Sequence, residues 1–98
     1  MHLNINSKQI AEFCRRWKIV EFSIFGSALG EDFRPDSDVD VLINFEPDIP
    51  WSLFDWLDMI EELKQIFGRE VDLVEESGLR NPFRRHEILK TKQVVYAT

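Results

Sequence analysis

The alternation of apolar and polar positions divides the chain into helical and extended segments. An apolar stripe at i, i+3, i+4 and i+7 predicts a first helix over residues 6–17, capped by Asn6 or Ser7. A longer stripe predicts a second helix over residues 51–67, which ends at Gly68. Asn81 followed by Pro82 is typical of an N-cap and first helical position, so a third helix is predicted from residue 82 to about residue 90.

Four shorter segments alternate with the period of a strand: residues 20–25, 38–45, 70–75 and 93–97. The polar segment 28–37 between the first two strands is predicted to be a loop, with one helical turn after Ser27 as an option. The predicted order is helix, strand, loop, strand, helix, strand, helix, strand, which mixes helices with a sheet in one unit.

Composition limits what this unit can be. With 98 residues, 44% of them hydrophobic, the chain is predicted to form one domain over residues 1–98 with a core of its own. The net charge of −6 disfavours direct nucleic-acid binding. One cysteine and two histidines supply neither a disulfide nor a zinc site, and Cys14 lies on the apolar stripe of the first helix, as a core residue would. Without a signal peptide or a membrane-length apolar run, the protein is expected to be cytoplasmic and to have no membrane contact.

Three acids occupy strand positions where charge is costly. Asp38 and Asp40 point the same way from α-carbons roughly 6.5 Å apart. Asp72 lies on another strand, on the face opposite Val71 and Leu73, and an adjacent strand would bring it to the same place. Three such carboxylates suit a hard cation, above all Mg²⁺ carried with substrate phosphates. The alternative is a solvated strand face.

A possible phosphate cradle precedes these acids. Gly26 and Ser27 stand where a strand runs into a turn, so backbone N–H groups are free and glycine allows a phosphate to come close. The segment is not a Walker motif because it lacks the lysine that this motif requires. A phosphate cradle beside a metal-binding acid pair is therefore predicted.

The combined pattern, Gly26-Ser27, ten residues, then Asp38-x-Asp40, resembles the signature of the DNA polymerase beta-like nucleotidyltransferase superfamily. More narrowly, it resembles the minimal nucleotidyltransferases (MNT), the antitoxins of prokaryotic HEPN/MNT toxin–antitoxin pairs. The similarity extends through the second helix, the segment 68–74 and the final strand, so it covers essentially the whole chain.

This resemblance implies an α+β fold, a mixed sheet of about four strands with helices packed on it. It also implies that Asp38 and Asp40 bind Mg²⁺, that Gly26 and Ser27 hold the triphosphate of ATP, and that Asp72 is a third carboxylate that binds metal and activates the incoming hydroxyl. Many relatives carry arginines soon after the Gly-Ser pair, but here those positions hold Ala28 and Gly30. Arg34 is then the nearest loop cation for a phosphate, unless it is a solvated residue packed on Pro35.

The function implied by the resemblance is transfer of AMP from ATP to a hydroxyl, a tyrosine, of a HEPN toxin. Because the chain is too short for an acceptor-binding domain, the acceptor is expected to be another protein. The chain is expected to form a homo-oligomer or a hetero-oligomer with the toxin. Two alternatives stay open: a non-catalytic antitoxin that masks its partner by binding alone, and a nucleotidyltransferase acting on a small hydroxyl-bearing molecule. The acid cluster disfavours the first, since a binding module does not need repelling carboxylates.

Two other features have structural interpretations. The aromatic residues Trp51, Phe54 and Trp56 are predicted to serve core packing rather than a partner contact, with Trp51 at the exposed start of its helix. The basic C-terminal segment is predicted to be a solvated helix face, although it could guide an acidic partner or hold nucleotide phosphates; its residues are Arg80, Arg84, Arg85, His86, Lys90 and Lys92.

Overall fold

A computed structural model describes residues 3–30, 33–34 and 36–98. Three helices and four strands alternate along the chain, with a short 3-10 helix after β1 and another after β3. In chain order the elements are α1 (Ser7–Arg16), β1 (Ile19–Phe25), a 3-10 helix (Gly26–Leu29), β2 (Val39–Phe45), α2 (Leu53–Phe67), β3 (Val71–Glu75), a 3-10 helix (Glu76–Gly78), α3 (Pro82–Thr91) and β4 (Gln93–Ala97).

The four strands form one mixed sheet in the order β3-β2-β1-β4. β1 is antiparallel to both β2 and β4, whereas β2 and β3 are parallel. A parallel neighbour requires a crossover connection, and α2 supplies it. The expected α+β fold with a four-stranded mixed sheet is confirmed.

Local signals in the sequence set the helix ends. Asn6 caps α1 by accepting a hydrogen bond from the Gln9 N–H at 3.1 Å, and Ser52 and Asp55 form a reciprocal capping box at α2. The cap at Ser52 moves the start of α2 to residue 53, two residues after the predicted start. Gly68 ends the helix in the left-handed conformation, with φ 66°.

The main core lies between one face of the sheet and helices α1 and α2. Cys14 belongs to it as predicted, and burial raises the pKa of its thiol to about 12. The largest fully buried side chains of this core are Phe13, Phe22, Ile10, Ile24, Ile43, Met59 and Leu63. A smaller cluster covers the opposite face, which also carries Asp40, and consists of Phe25, Leu42, Leu79 and Ile88.

The packing of the aromatic residues corrects two predictions. Trp51 is half-buried rather than exposed, because its ring packs edge-on against Trp17 at 5.1 Å and its indole N–H donates to the Trp17 carbonyl at 2.9 Å. Phe54 is 77% exposed instead of packing in the core. With 100° between successive helical residues, Phe54 points away from the side of α2 that carries Met59 and Leu63. The apolar stripe of α2 is thus wider than the face that the sheet covers.

Other predictions have mixed outcomes. In the basic segment Arg80, Arg84, His86 and Lys90 are exposed as expected. Arg85 and Lys92 are half-buried, and they donate hydrogen bonds to the Glu76 carbonyl and the Glu21 carboxylate.

The predicted loop over residues 28–37 begins within a 3-10 helix, and its positions 31, 32 and 35 lie outside the described residues, as does His2. Within the described ranges no helix has both the length and the apolar composition needed to cross a bilayer.

Candidate functional site

Two of the three singled-out acids are neighbours across the parallel pair of strands. Asp40 of β2 and Asp72 of β3 are register partners. Adjacent strands lie about 4.8 Å apart, and partners in register point to the same face, so these carboxylates stand side by side. Asp38 immediately precedes β2 and is exposed, as is Asp72, whereas Asp40 is half-buried.

The charges around Asp40 reflect this crowding. Partial burial raises the pKa of Asp40, and the carboxylates of Asp72 and Asp38 raise it further. The Ser27 backbone N–H and the Arg84 guanidinium act in the opposite direction without cancelling the rise. The negative charges of the other two acids, Asp38 and Asp72, therefore act on Asp40, where a cation would relieve the repulsion.

The backbone at Gly26 lies directly against this group. Gly26 has φ 72°, a left-handed conformation, and a Cβ atom placed on it would overlap Asp40 Oδ2. The Ser27 N–H is directed at the same carboxylate, and the Ser27 hydroxyl donates to the Asp38 carbonyl over a long 3.4 Å. Gly26 and Ser27 thus bring the chain to the acids, while the exposed Ser27 hydroxyl remains within reach of a ligand.

The carboxylates of this site are suitable ligands for Mg²⁺, but the protein alone does not complete the coordination of the ion. Within the part of the chain that the structure describes, no three or more His, Cys, Asp or Glu side chains are grouped so that they could hold a metal ion. Mg²⁺ is commonly bound through one or two carboxylates, with waters and substrate phosphates completing its coordination. The adjacent carboxylates of Asp40 and Asp72, the first with a raised pKa, fit that mode of binding.

Arg34 has a fixed backbone and an exposed side chain. Its N–H donates to Ser37 Oγ at 3.0 Å, and its carbonyl accepts a hydrogen bond from the Arg69 guanidinium at 2.6 Å. Arg69 in turn lies 4.2 Å from the centre of the Phe33 ring. Arg34 is not among the groups that shift the pKa of Asp40, and its predicted packing on Pro35 falls outside the described residues. Its phosphate-binding role stays a prediction.

The positive charge of Arg84 lowers the pKa of Asp40, although the sequence predicted that Arg84 lies on a solvated helix face. It is the third residue of α3, close to the Asn81 cap. The sequence carries a weak signal for it, a basic residue in the first helical turn, where an acidic residue is the usual preference.

A groove of about 460 Å³ runs along the outer edge of β3, between the start of α2 and the start of α3. Its base is β3, and its walls come from the two helices and the 3-10 helix after β3. The lining residues are Leu53, Trp56, Leu73, Val74, Glu75, Gly78, Leu79 and Arg84. Arg84 therefore connects the groove with the acid cluster.

The sequence profile of the family described as Nucleotidyltransferase domain matches residues 7–95. The chain belongs to this nucleotidyltransferase family. Protein adenylyltransferase MntA of Thermococcus cleftensis is 34% identical to it over 94 residues, which cover 96% of this chain and 87% of that relative. The resemblance to the MNT proteins is confirmed, and the chain is a nucleotidyltransferase enzyme.

Solved structures share the fold of this nucleotidyltransferase. A toxin–antitoxin crystal structure with AMP-PNP superposes with a TM-score of 0.74 at 19% identity, over 96% of this chain and 75% of that one. A complex of an MNT antitoxin with the tri-AMPylated HEPN toxin of Shewanella oneidensis gives a TM-score of 0.65 at 17% identity, over 94% and 70%. At these identities the likeness shows the fold of the domain.

Proposed function

We propose that this nucleotidyltransferase transfers AMP from ATP to a hydroxyl, a tyrosine, of a HEPN-type toxin and thereby acts as its antitoxin in the cytoplasm. The observation that carries the proposal is the Asp40–Asp72 pair, backed by a glycine without room for a side chain. The name of the 34% identical relative, a protein adenylyltransferase, supports it. So do the fold neighbours, one a toxin–antitoxin structure with AMP-PNP and the other a complex with an AMPylated HEPN toxin. The active domain comprises residues 1–98 in this proposal.

The acids have separate roles in this reaction. Asp38 and Asp40 would hold Mg²⁺, with Asp72 as a third carboxylate. When bound, Mg²⁺ would neutralise charge on the nucleotide phosphates and on the leaving pyrophosphate. Asp72, exposed on the outer strand, accepts the proton of the incoming hydroxyl.

Phosphate binding is assigned to neutral and cationic groups that flank the acids. The Ser27 hydroxyl and the backbone at Gly26 contact the triphosphate, and Arg34 and Arg84 contribute positive charge. The hydroxyl oxygen attacks the α-phosphorus in line, the bond to the β-phosphate oxygen breaks, and pyrophosphate leaves. The product is a phosphodiester between AMP and the acceptor.

Neutralisation by binding alone is the competing function. The raised pKa of Asp40 argues against it, because clustered carboxylates cost stability and give a pure contact surface nothing in return. A small hydroxyl-bearing acceptor would make a partner protein unnecessary.

The test incubates the protein with Mg²⁺, the product of the neighbouring gene and ATP labelled at either the α- or the γ-phosphate. Transfer of AMP predicts that the partner retains the α-label and never the γ-label. A partner that is neutralised without label would support masking, and label on a small alcohol without the partner would support the third function. Phosphorylation, a different reaction, would retain the γ-label.

A further inference from the structure

The outer edge of β3 is open, and its free backbone groups face the groove. β3 has one neighbour in the sheet, β2, and the described residues place no strand on its other side. The Val39 N–H donates to the Glu70 carbonyl at 2.9 Å, which fixes the residues of β3 that face β2. Since backbone groups alternate along a strand, Asp72 and Val74 face β2, whereas Val71, Leu73 and Glu75 present N–H and C=O groups to the open edge.

The surroundings of this edge suit an extended polypeptide. Leu53 and Trp56 stand on one side of the groove and Leu79 on the other, so alternate side chains of an added strand would contact apolar walls. Three apolar side chains outside the groove, on the same two helices, are also exposed, by between 53% and 85%: Phe54, Leu57 and Phe83. An exposed apolar surface that extends past a small-molecule groove is typical of protein contacts.

The charge of the β3 edge indicates whether it pairs with a second copy of this chain or with a different protein. Residues 70–76 contain four acids and no Lys or Arg. Glu70 pairs with Lys64 and Glu76 with Lys92, but Asp72 and Glu75 form no salt bridge with any described residue. Pairing of this edge with its own copy would bring these acids together, and that is unfavourable. Basic side chains placed next to Asp72 and Glu75 are complementary to this edge.

The edge also lies where the acceptor must arrive. An added strand would run about 4.8 Å from β3, and a side chain in register with Asp72 would lie beside its carboxylate on the same face. That is the position of a hydroxyl whose proton Asp72 accepts.

We propose that the acceptor protein presents its hydroxyl on an extended, basic segment that pairs with the open edge of β3 and places the hydroxyl beside Asp72. The inference rests on the proposed function and names the way in which the acceptor is bound. It assigns the groove to a polypeptide rather than to the nucleotide.

The backbone pairing is tested with Glu75→Pro against Glu75→Ala. Both variants remove the same carboxylate, but only proline removes the outward N–H. Glu75 has φ −89°, near the value that proline requires, and an edge N–H that faces solvent tolerates the replacement. The KM for the partner protein should rise about tenfold in the proline variant relative to the alanine variant, the effect of one lost hydrogen bond, with the KM for ATP and the melting temperature equal. Equal KM values for the partner would overturn the proposal.

Hydrogen exchange gives a second measurement, independent of transfer. The amides of Val71, Leu73 and Glu75 should exchange rapidly in the free protein and become protected when the neighbouring-gene product is bound. AMP transfer with these amides unprotected would overturn the inference and leave the proposed function standing. Protection without AMP transfer would show that the edge binds the partner, but it would contradict the proposed function and with it the placement of an acceptor hydroxyl beside Asp72.

The charge of the segment is tested at the same position. Glu75→Lys should weaken partner binding more than Glu75→Ala, and the difference should shrink as salt is added. Protection of the β3 amides that grows with protein concentration in the absence of a partner would assign the edge to a second copy and overturn the proposal.

Discussion

Gly26 and Asp40 are in such close contact that a single methyl group on Gly26 would overlap Asp40 Oδ2. The left-handed φ of 72° makes the position unfavourable for other residues even without this contact. The glycine of the motif therefore has a steric role at the carboxylate, beyond the phosphate approach that its sequence context suggests.

Gly26→Ala should abolish most activity because it displaces Asp40. A displacement of about 1 Å in a catalytic group can lower the rate by about 10²-fold, and the left-handed conformation adds roughly 1–2 kcal/mol of destabilisation. Steady-state transfer and thermal unfolding measure the two effects separately.

Gly30→Ala is the matched control for this variant. Gly30 has φ −101°, and a Cβ there would lie 3.7 Å from the Ser27 carbonyl, an ordinary contact. Equal losses in the two variants would show that any side chain in this loop harms the enzyme, contrary to the steric account.

Asp40→Asn should stabilise the free protein at neutral pH while it removes activity. The pKa of Asp40 is raised in the fold, so the ionised carboxylate costs stability at pH values above that pKa, and this cost disappears below the pKa of the unfolded chain. The gain in melting temperature should thus be full at neutral pH and vanish in acid. A wild type that is more stable than the variant at neutral pH would contradict the inferred repulsion.

Arg84→Ala should weaken nucleotide binding. The Arg84 charge reaches Asp40, and its loss should raise the KM for ATP several-fold and raise the pKa of Asp40 further. Lys90→Ala, on the same helix but not among the groups that shift the pKa of Asp40, is the control for lost positive charge. If both variants change the KM equally, the effect comes from net charge and not from the position of Arg84.

Phe54→Ala should leave the stability of the free protein nearly unchanged, because the side chain is 77% exposed. Met59→Ala, five residues further along α2 and fully buried, should cost about 2–5 kcal/mol in free energy of unfolding. Urea denaturation of the two variants measures both. A large loss for Phe54→Ala would mean that this residue belongs to the core after all.

The sequence predicted the elements where local signals agree. Helix α2 has a capping box at one end and glycine at the other, so its extent follows from local chemistry within two residues. The strand positions of Asp40 and Asp72 also followed from alternation. Their adjacency required the order of strands in the sheet, which a single pattern of apolar residues does not specify.

What could not be predicted depended on contacts between distant segments. The side of α2 that faces the sheet is set by packing, so the exposure of Phe54 was not visible in a stripe that continues around the helix. The proximity of Arg84 to Asp40 depends on how α3 lies over the second face of the sheet. Arg84 and Asp40 are far apart in the sequence, so no local pattern could reveal their proximity.

The intact mass of the partner protein tests the central claim most directly. After incubation with ATP, Mg²⁺ and the wild-type protein, the partner should gain the mass of one or more AMP groups and lose its toxic activity. With the Asp38→Asn, Asp40→Asn double variant it should keep its original mass and remain active. A partner that is fully neutralised by the double variant, with no added mass, would contradict the account.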